Sequence, residues 1–101
     1  MSPLNWTPQA LRDLARVEAF LHDKDPDAAF RARQAIRSST AILENFPRAG
    51  RHVEHLAAEY REWPIRFGSA GYIALYKVES DNSVTIVAIR HMREDGFPEF
   101  D

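Results

Sequence analysis

The fold is decided by residues 72–91, YIALYKVESDNSVTIVAIRH. From Tyr72 to Glu79, aromatic and branched residues recur with a period of two, which is typical of a β-strand. Four turn-forming residues, Ser80 to Ser83, come next. Val84 to Ile89 is then apolar on both faces, as expected of a strand that is covered on both sides. The stretch therefore predicts a β-hairpin whose second strand lies inside a sheet.

The hairpin ends in a run of mostly ionisable residues, 90–95, RHMRED. A buried strand that delivers ionisable groups at its last residues is a common way to mount a functional site on a rigid scaffold. The same pattern arises where a strand simply reaches water. Both interpretations of Arg90 and His91 stay open at this point.

A first helix is predicted to begin at Thr7 and Pro8, because a hydroxyl N-cap followed by proline is a helix-start signal. Its expected apolar stripe, with steps of three or four residues, consists of Leu11, Leu14, Val17 and Leu21. The residues expected to face away from that stripe are Arg12, Asp13, Arg16 and Glu18.

Asp25 and Pro26 repeat the start signal, so a second helix is predicted almost at once. Its apolar stripe is expected to consist of Ala29, Ala32, Ile36 and Leu43. The helix should end by Asn45, because Pro47 disfavours helical geometry in the residue before it. Two helices joined so closely must run roughly antiparallel, as a helical hairpin.

Two further strands are predicted, a brief one at Leu4 to Trp6 and a longer alternating one at Tyr60 to Phe67. Pro64 lacks a donor for the strand ladder, so the longer strand should be an edge or carry a bulge. Residues 52–59 fit either a helical turn or an irregular connection. The whole chain, residues 1–101, is thus predicted to be one α+β domain of order β-α-α-β-β-β, with the helical hairpin on one face of an antiparallel sheet.

The composition is that of an ordinary globular protein, with 45% apolar and 28% charged residues among 101. Cysteine is absent, which excludes disulfides and thiolate metal sites. No apolar run is long enough to cross a membrane and no signal peptide is evident, so the cytoplasm is expected. The net charge is −2, whereas proteins that bind nucleic acid usually carry a basic excess.

The motifs of cofactor and metal chemistry are missing from the sequence. There is no glycine-rich phosphate loop and no nucleophile elbow, and no cofactor is indicated. His52 and His55 are spaced for one face of a helix, but a histidine pair without a carboxylate partner is a weak metal signal.

What remains is a set of arginines on the strands and loops, namely Arg48, Arg51, Arg61, Arg66, Arg90 and Arg93. The guanidinium fork suits phosphate and carboxylate groups. Together with His91, these residues could form a metal-independent ribonuclease, which needs a base, an acid and cations around one phosphate. Alternatively, they pair with the chain's own glutamates or with acidic side chains of a protein partner.

The order of elements resembles the RelE/ParE superfamily of small toxins from type II toxin–antitoxin systems. The resemblance extends from about Leu4 to Phe97. It is carried by Trp6-Thr7-Pro8, Phe46-Pro47-Arg48-Ala49-Gly50-Arg51, Gly71-Tyr72-Ile73-Ala74-Leu75-Tyr76 and Ile89-Arg90-His91-Met92-Arg93-Glu94. RelE-like members cleave messenger RNA on the ribosome, often with a tyrosine near the C-terminus, whereas ParE-like members are known as inhibitors of DNA gyrase.

The ending of this chain is more similar to the ParE branch, since no tyrosine follows His91. The resemblance implies a gyrase inhibitor rather than an enzyme, held in a hetero-oligomer by a cognate antitoxin, with no membrane and no sequence-specific nucleic acid among its partners. Residues expected to contact these partners are Arg51, Arg61, Trp63, Arg66, Arg90, His91, Arg93 and Phe97. Two alternatives stay open: a RelE-like ribonuclease that uses Arg66, Arg90 and His91, and a non-toxic module that only binds antitoxin.

Overall fold

The computed structural model describes residues 4–94 of the chain. Its two helices are followed by most of its strands, in the order predicted. The elements are β1 (Leu4–Trp6), α1 (Pro8–His22), α2 (Pro26–Ala41) with a 3-10 turn (Ile42–Glu44), β2 (Arg51–His52), β3 (Tyr60–Phe67), β4 (Ala70–Val78) and β5 (Val84–His91). None of the described helices combines the length and the apolar character that a membrane span requires.

The five strands form one sheet in the order β1-β5-β4-β3-β2. Strands β3, β4 and β5 make the antiparallel meander that the sequence predicts. β1 joins β5 in parallel, so the sheet is mixed, and β5 is an interior strand as predicted. The short β2, which was not predicted, pairs antiparallel with β3.

A β-bulge at Val87 sets which side chains of β5 face the helices. Ile86 pairs with Tyr76, but Ala88 pairs with Leu75, so Val87 is an extra residue in the ladder. Ile86 and Ile89 consequently both face the helices, although they are three residues apart. Ile86 is fully buried there.

The two helix starts form as predicted, each through a side-chain cap. Thr7 Oγ1 accepts a hydrogen bond of 3.0 Å from the N–H of Ala10. Asp25 Oδ1 accepts one, also of 3.0 Å, from the N–H of Asp27. Each cap satisfies a backbone donor that the first turn of a helix leaves without a partner.

The expected orientation of α1 is wrong at two positions. Leu11 is 46% exposed, whereas Asp13 is only 8% exposed and lies against the sheet. The buried face of α1 passes instead through Ala10, Leu14 and Val17. Asp13 can join that face because backbone and side-chain donors satisfy its carboxylate, which removes most of the penalty of burying it.

The core lies between the helical hairpin and the sheet, and a second, smaller cluster covers the opposite face of the sheet. The α2 stripe is confirmed, with Ala29, Ala32, Ile36 and Leu43 all buried. On the other face, Val53 and Leu56 pack over Ile73, Leu75 and Ala88. Residues 53–59 are therefore an irregular cover, not a helical turn, and they explain why β5 is apolar on both sides.

Candidate functional site

The charged end of β5 divides between the two faces of the sheet. His91 lies opposite Tyr72 and on the helix side, where the two rings meet edge to face with centroids 5.5 Å apart. Arg90 lies opposite Ile73, which belongs to the cluster on the other face. The alternation of a strand separates neighbouring side chains in this way.

The His91 ring is held by the turn that follows β5. Its Nδ1 accepts a hydrogen bond of 3.0 Å from the backbone N–H of Arg93. The backbone N–H of His91 donates to Glu94 Oε1, also at 3.0 Å. With Nδ1 as the acceptor, the neutral imidazole carries its proton on Nε2.

Arg90 organises the same turn from the opposite side. Its Nη1 donates to the backbone carbonyls of His91 and Glu94. A guanidinium that is bound to two backbone carbonyls fixes local structure, and it has fewer donors left for a phosphate or a carboxylate.

Arg66 is exposed near the end of β3, and strand alternation after the buried Ile65 assigns it to the face of Arg90. At the sheet edge it also lines a cavity with Ser38 and Ser39 of α2. Arg66 is opposite Gly71 on β4, and Arg90 is opposite Ile73 on the same strand. Two inter-strand spacings, about 10 Å, separate the backbones of β3 and β5. The structure thus brings Arg66 and Arg90 to one face and leaves His91 on the other.

A buried tyrosine holds the loop after α2, at the other end of the sheet. Tyr76 Oη accepts a hydrogen bond of 2.8 Å from the N–H of Gly50 and donates one of 2.8 Å to the carbonyl of Pro47. Burial raises the pKa of Tyr76, while the Gly50 hydrogen bond and the nearby Arg61 charge act in the opposite direction. A β-carbon at Gly50 would lie 2.6 Å from this hydroxyl, so the close approach requires glycine.

The arginines around this loop are engaged within the chain. Arg61 Nη1 donates to the carbonyls of Gly50, at 2.7 Å, and Arg48, at 3.1 Å. Arg51 Nε makes a 2.7 Å ion pair with Glu62 across β2 and β3. The Arg51 pair matches the alternative in which arginines pair with the chain's own glutamates, whereas Arg61 binds backbone carbonyls.

The remaining predicted contact residues differ in their exposure. Trp63 Nε1 donates to both the carbonyl and the hydroxyl of Ser39 at 3.0 Å, so its indole is fixed against α2. The Arg93 side chain is exposed. Phe97 lies outside the described residues.

Metal ligands do not cluster in the part of the chain that the structure describes. Among residues 4–94, there is no group of three or more histidine, cysteine, aspartate or glutamate side chains suited to a metal ion. His52 ends β2 and His55 follows it in the irregular segment, so the helical spacing that joined them in the sequence does not apply.

Comparison with known proteins gives matches along nearly the whole chain. Residues 4–96 match the model of the family described as the ParE toxin of the type II toxin–antitoxin system parDE. Toxin RelE3 of Caulobacter vibrioides is 34% identical over 94 residues, which are 93% of this chain and 98% of that protein. Putative toxin Y4kP of Sinorhizobium fredii is 30% identical over 91 residues, 90% of this chain and 88% of that protein.

Two solved structures share the fold. A chain of the chromosomal ParDE system from P. aeruginosa superposes with a TM-score of 0.76 at 23% identity, covering 92% of this chain and 98% of its own length. A chain of the intact E. coli RelBE toxin–antitoxin complex gives a TM-score of 0.64 at 15% identity, covering 94% of this chain and 100% of its own. At these identities the likeness concerns the fold alone.

Proposed function

This chain belongs to the ParE toxin family of type II toxin–antitoxin systems, and from that premise we propose that it inhibits DNA gyrase and is neutralised by a cognate antitoxin. The chain is a toxin of the ParE/RelE type. The proposal has three parts. The target is gyrase and not messenger RNA, the protein acts in the cytoplasm, and it forms a hetero-oligomer with the antitoxin.

The observation that carries the proposal is the separation of His91 from Arg90 and Arg66 by the sheet. Metal-independent cleavage of RNA needs a base, an acid and a cation around one phosphate. Here the imidazole packs on Tyr72 beside α1, while the guanidinium of Arg90 binds the backbone of the following turn. This arrangement favours a binding role over a catalytic one.

The charge of the chain supports the same choice. A protein that works on ribosomal RNA gains affinity and association rate from a basic excess. This chain has 13 lysines and arginines against 15 aspartates and glutamates. Two of its exposed arginines, Arg66 and Arg93, then serve protein recognition, a task in which arginine is over-represented at binding hot spots.

The second candidate is a ribosome-dependent endoribonuclease. Two observations favour it: a 34% identical relative carries the name Toxin RelE3, and Arg66 and Arg90 share one face of the sheet. In that case these two residues would stabilise charge on the phosphate. A third candidate, a module that binds antitoxin without toxicity, would share the antitoxin surface and lack both activities.

Purified protein separates the three candidates in two assays. We expect inhibition of gyrase supercoiling, relief of that inhibition by antitoxin, and ribosome-bound messages that stay intact. Specific cleavage of ribosome-bound messages that is lost in His91→Ala or Arg90→Ala would overturn the proposal. A protein that binds antitoxin but neither inhibits gyrase nor cleaves messages would be the non-toxic module.

A further inference from the structure

A cavity of about 630 Å³ opens between α1 and the end of β5. Its floor is apolar and consists of Val17, Leu21 and Tyr72. Phe20 stands at its mouth with 63% of its surface exposed. A large aromatic side chain beside an apolar hollow is typical of a surface that binds another chain.

The rim of the cavity is cationic. Arg16 Nη2 and Nη1 lie 3.8 Å from Asp13 and 3.6 Å from Glu94, distances longer than a hydrogen bond, so its guanidinium keeps donors to offer. Arg93 makes no ion pair with any of the residues 4–94 and is exposed. Lys24 Nζ adds a third positive charge 5.1 Å from the Phe20 ring centre.

The acidic groups beside the cavity are already occupied. Glu94 accepts the N–H of His91, and Asp13 accepts the N–H of Ile89 from its buried position. Their negative charges compensate the positive charge of the rim only in part. The mouth is therefore suited to incoming carboxylates.

The neighbouring edge of β5 is closed to an added strand. Beyond Ile86, where β1 ends, the side chains of Thr7, Asp13 and Glu94 bind the Val87 carbonyl and the N–H groups of Ile89 and His91. A ligand strand would have to displace these side chains to lengthen the sheet at this place. It has to dock through side chains, as a helix or a turn does when it lies in a groove.

We propose that this cavity receives one large apolar side chain from an acidic segment of the antitoxin, with carboxylates of that segment bound to Arg16 and Arg93. The inference rests on the proposed neutralisation by antitoxin and names its anchor point. The apolar side chain is desolvated in the hollow, and the carboxylates fix its orientation through charge-assisted hydrogen bonds.

The first test uses a peptide probe, acetyl-Glu-Asp-Phe-Asp-Glu-amide, titrated into the isotope-labelled full chain by NMR. We expect saturable shifts at the amides of α1 and of the end of β5. The matched probe with serine in place of phenylalanine, and the one with lysines in place of the acids, should produce no such shifts. Equal effects of all three probes, or shifts elsewhere in the chain, would overturn the inference.

The second test measures antitoxin affinity for rim variants that are expected to fold. Phe20→Ala and Arg93→Glu should each weaken the complex about tenfold or more, whereas Arg31→Glu, on the exposed side of α2, should leave it unchanged. Antitoxin bound equally by all variants would overturn the inference and leave the proposed function standing. Absence of any antitoxin complex with the wild type would overturn both.

The chain's own residues 95–101, which are acidic and contain two phenylalanines, are a competing occupant. The double variant Phe97→Ala, Phe100→Ala distinguishes them. Binding of the phenylalanine peptide by the wild type and the double variant alike supports the inference. Binding by the double variant alone would assign the cavity to the chain itself and overturn it.

Discussion

The carboxylate of Asp13 accepts a hydrogen bond of 2.9 Å from the backbone N–H of Ile89, 76 residues further along the chain. β1 pairs with β5 only as far as Ile86. Past that point, Thr7 Oγ1 donates to the carbonyl of Val87 at 2.9 Å, and Asp13 receives the next outward N–H. The first turns of α1 thus take the place of a missing strand and protect a sheet edge that would otherwise be open to association.

Replacement of Asp13 by alanine should destabilise the fold. The variant leaves the buried N–H of Ile89 without its acceptor, and an unsatisfied buried donor costs roughly 1–3 kcal/mol. Urea denaturation measures the loss. The matched control is Asp23→Ala, an exposed aspartate at the end of the same helix, which should change the free energy of unfolding by less than about 0.5 kcal/mol. Equal stabilities of the two variants would show that the Asp13 contact is unimportant.

The Tyr76 hydroxyl is expected to contribute to stability in addition to the burial of its ring. Tyr76→Phe removes the acceptor of the Gly50 N–H and the donor to the Pro47 carbonyl, so it should cost roughly 1–3 kcal/mol in a thermal or urea melt. Tyr72→Phe is the control, because the Tyr72 hydroxyl makes no hydrogen bond to any of residues 4–94 in this structure. A cost as large in Tyr72→Phe would argue against a specific role of the loop contact.

Burial raises the pKa values of Tyr72 and Tyr76 above the usual 10.0. The folded state therefore favours the neutral phenols, and this contribution is fully present below pH 10. It is lost as the pH rises through the higher folded-state pKa values, because the unfolded chain then releases protons more readily. We expect the free energy of unfolding to fall above pH 10, and to fall less steeply in Tyr76→Phe. Parallel pH profiles for the variant and the wild type would contradict this.

Local signals made the helix starts and the meander predictable. Caps and proline positions act within one turn of chain, and a strand's period of two is visible in its own residues. The starts of α1 and α2 and the antiparallel meander of β3, β4 and β5 follow from such signals.

The predictions from the sequence were wrong where a side chain depends on a contact with a residue far away in the sequence. Asp13 reads as a solvent-facing residue because its acceptor role depends on Ile89, which is remote in sequence. Leu11 fits the helical period, but the face that meets the sheet is set by Ala10 and Leu14. Likewise, the sequence brings Arg90 and His91 together, while the alternation of β5 places them on opposite faces.

The core position of Ile86 predicts a large cost of truncation. Ile86 is fully buried between the sheet and the helical hairpin, so Ile86→Ala should destabilise the fold by roughly 2–5 kcal/mol through lost burial and the cavity it creates. Ile42→Ala is the matched control, since Ile42 is 46% exposed in the 3-10 turn. A melt of Ile86→Ala that coincides with that of the wild type would contradict the assignment of the core.

Arg90, near the end of β5, and Arg93, just after it, should respond differently to replacement by lysine. Arg93 is exposed and its side chain has no ion pair within residues 4–94, so Arg93→Lys should leave thermal stability unchanged. If its guanidinium fork binds a partner's carboxylate, the same change should weaken gyrase inhibition or antitoxin binding about tenfold, because an ammonium cannot reproduce bidentate geometry. Arg90→Lys should lower both stability and activity, since Arg90 holds the carbonyls of His91 and Glu94.

Arg31→Lys, on the exposed face of α2, is the control for both measurements and should change neither. The decisive comparison is between activity and melting temperature within each variant. A loss of activity in Arg93→Lys without a loss of stability assigns Arg93 to recognition. A loss of stability in Arg93→Lys as large as that in Arg90→Lys would contradict this assignment, because both arginines would then act by holding the turn after β5.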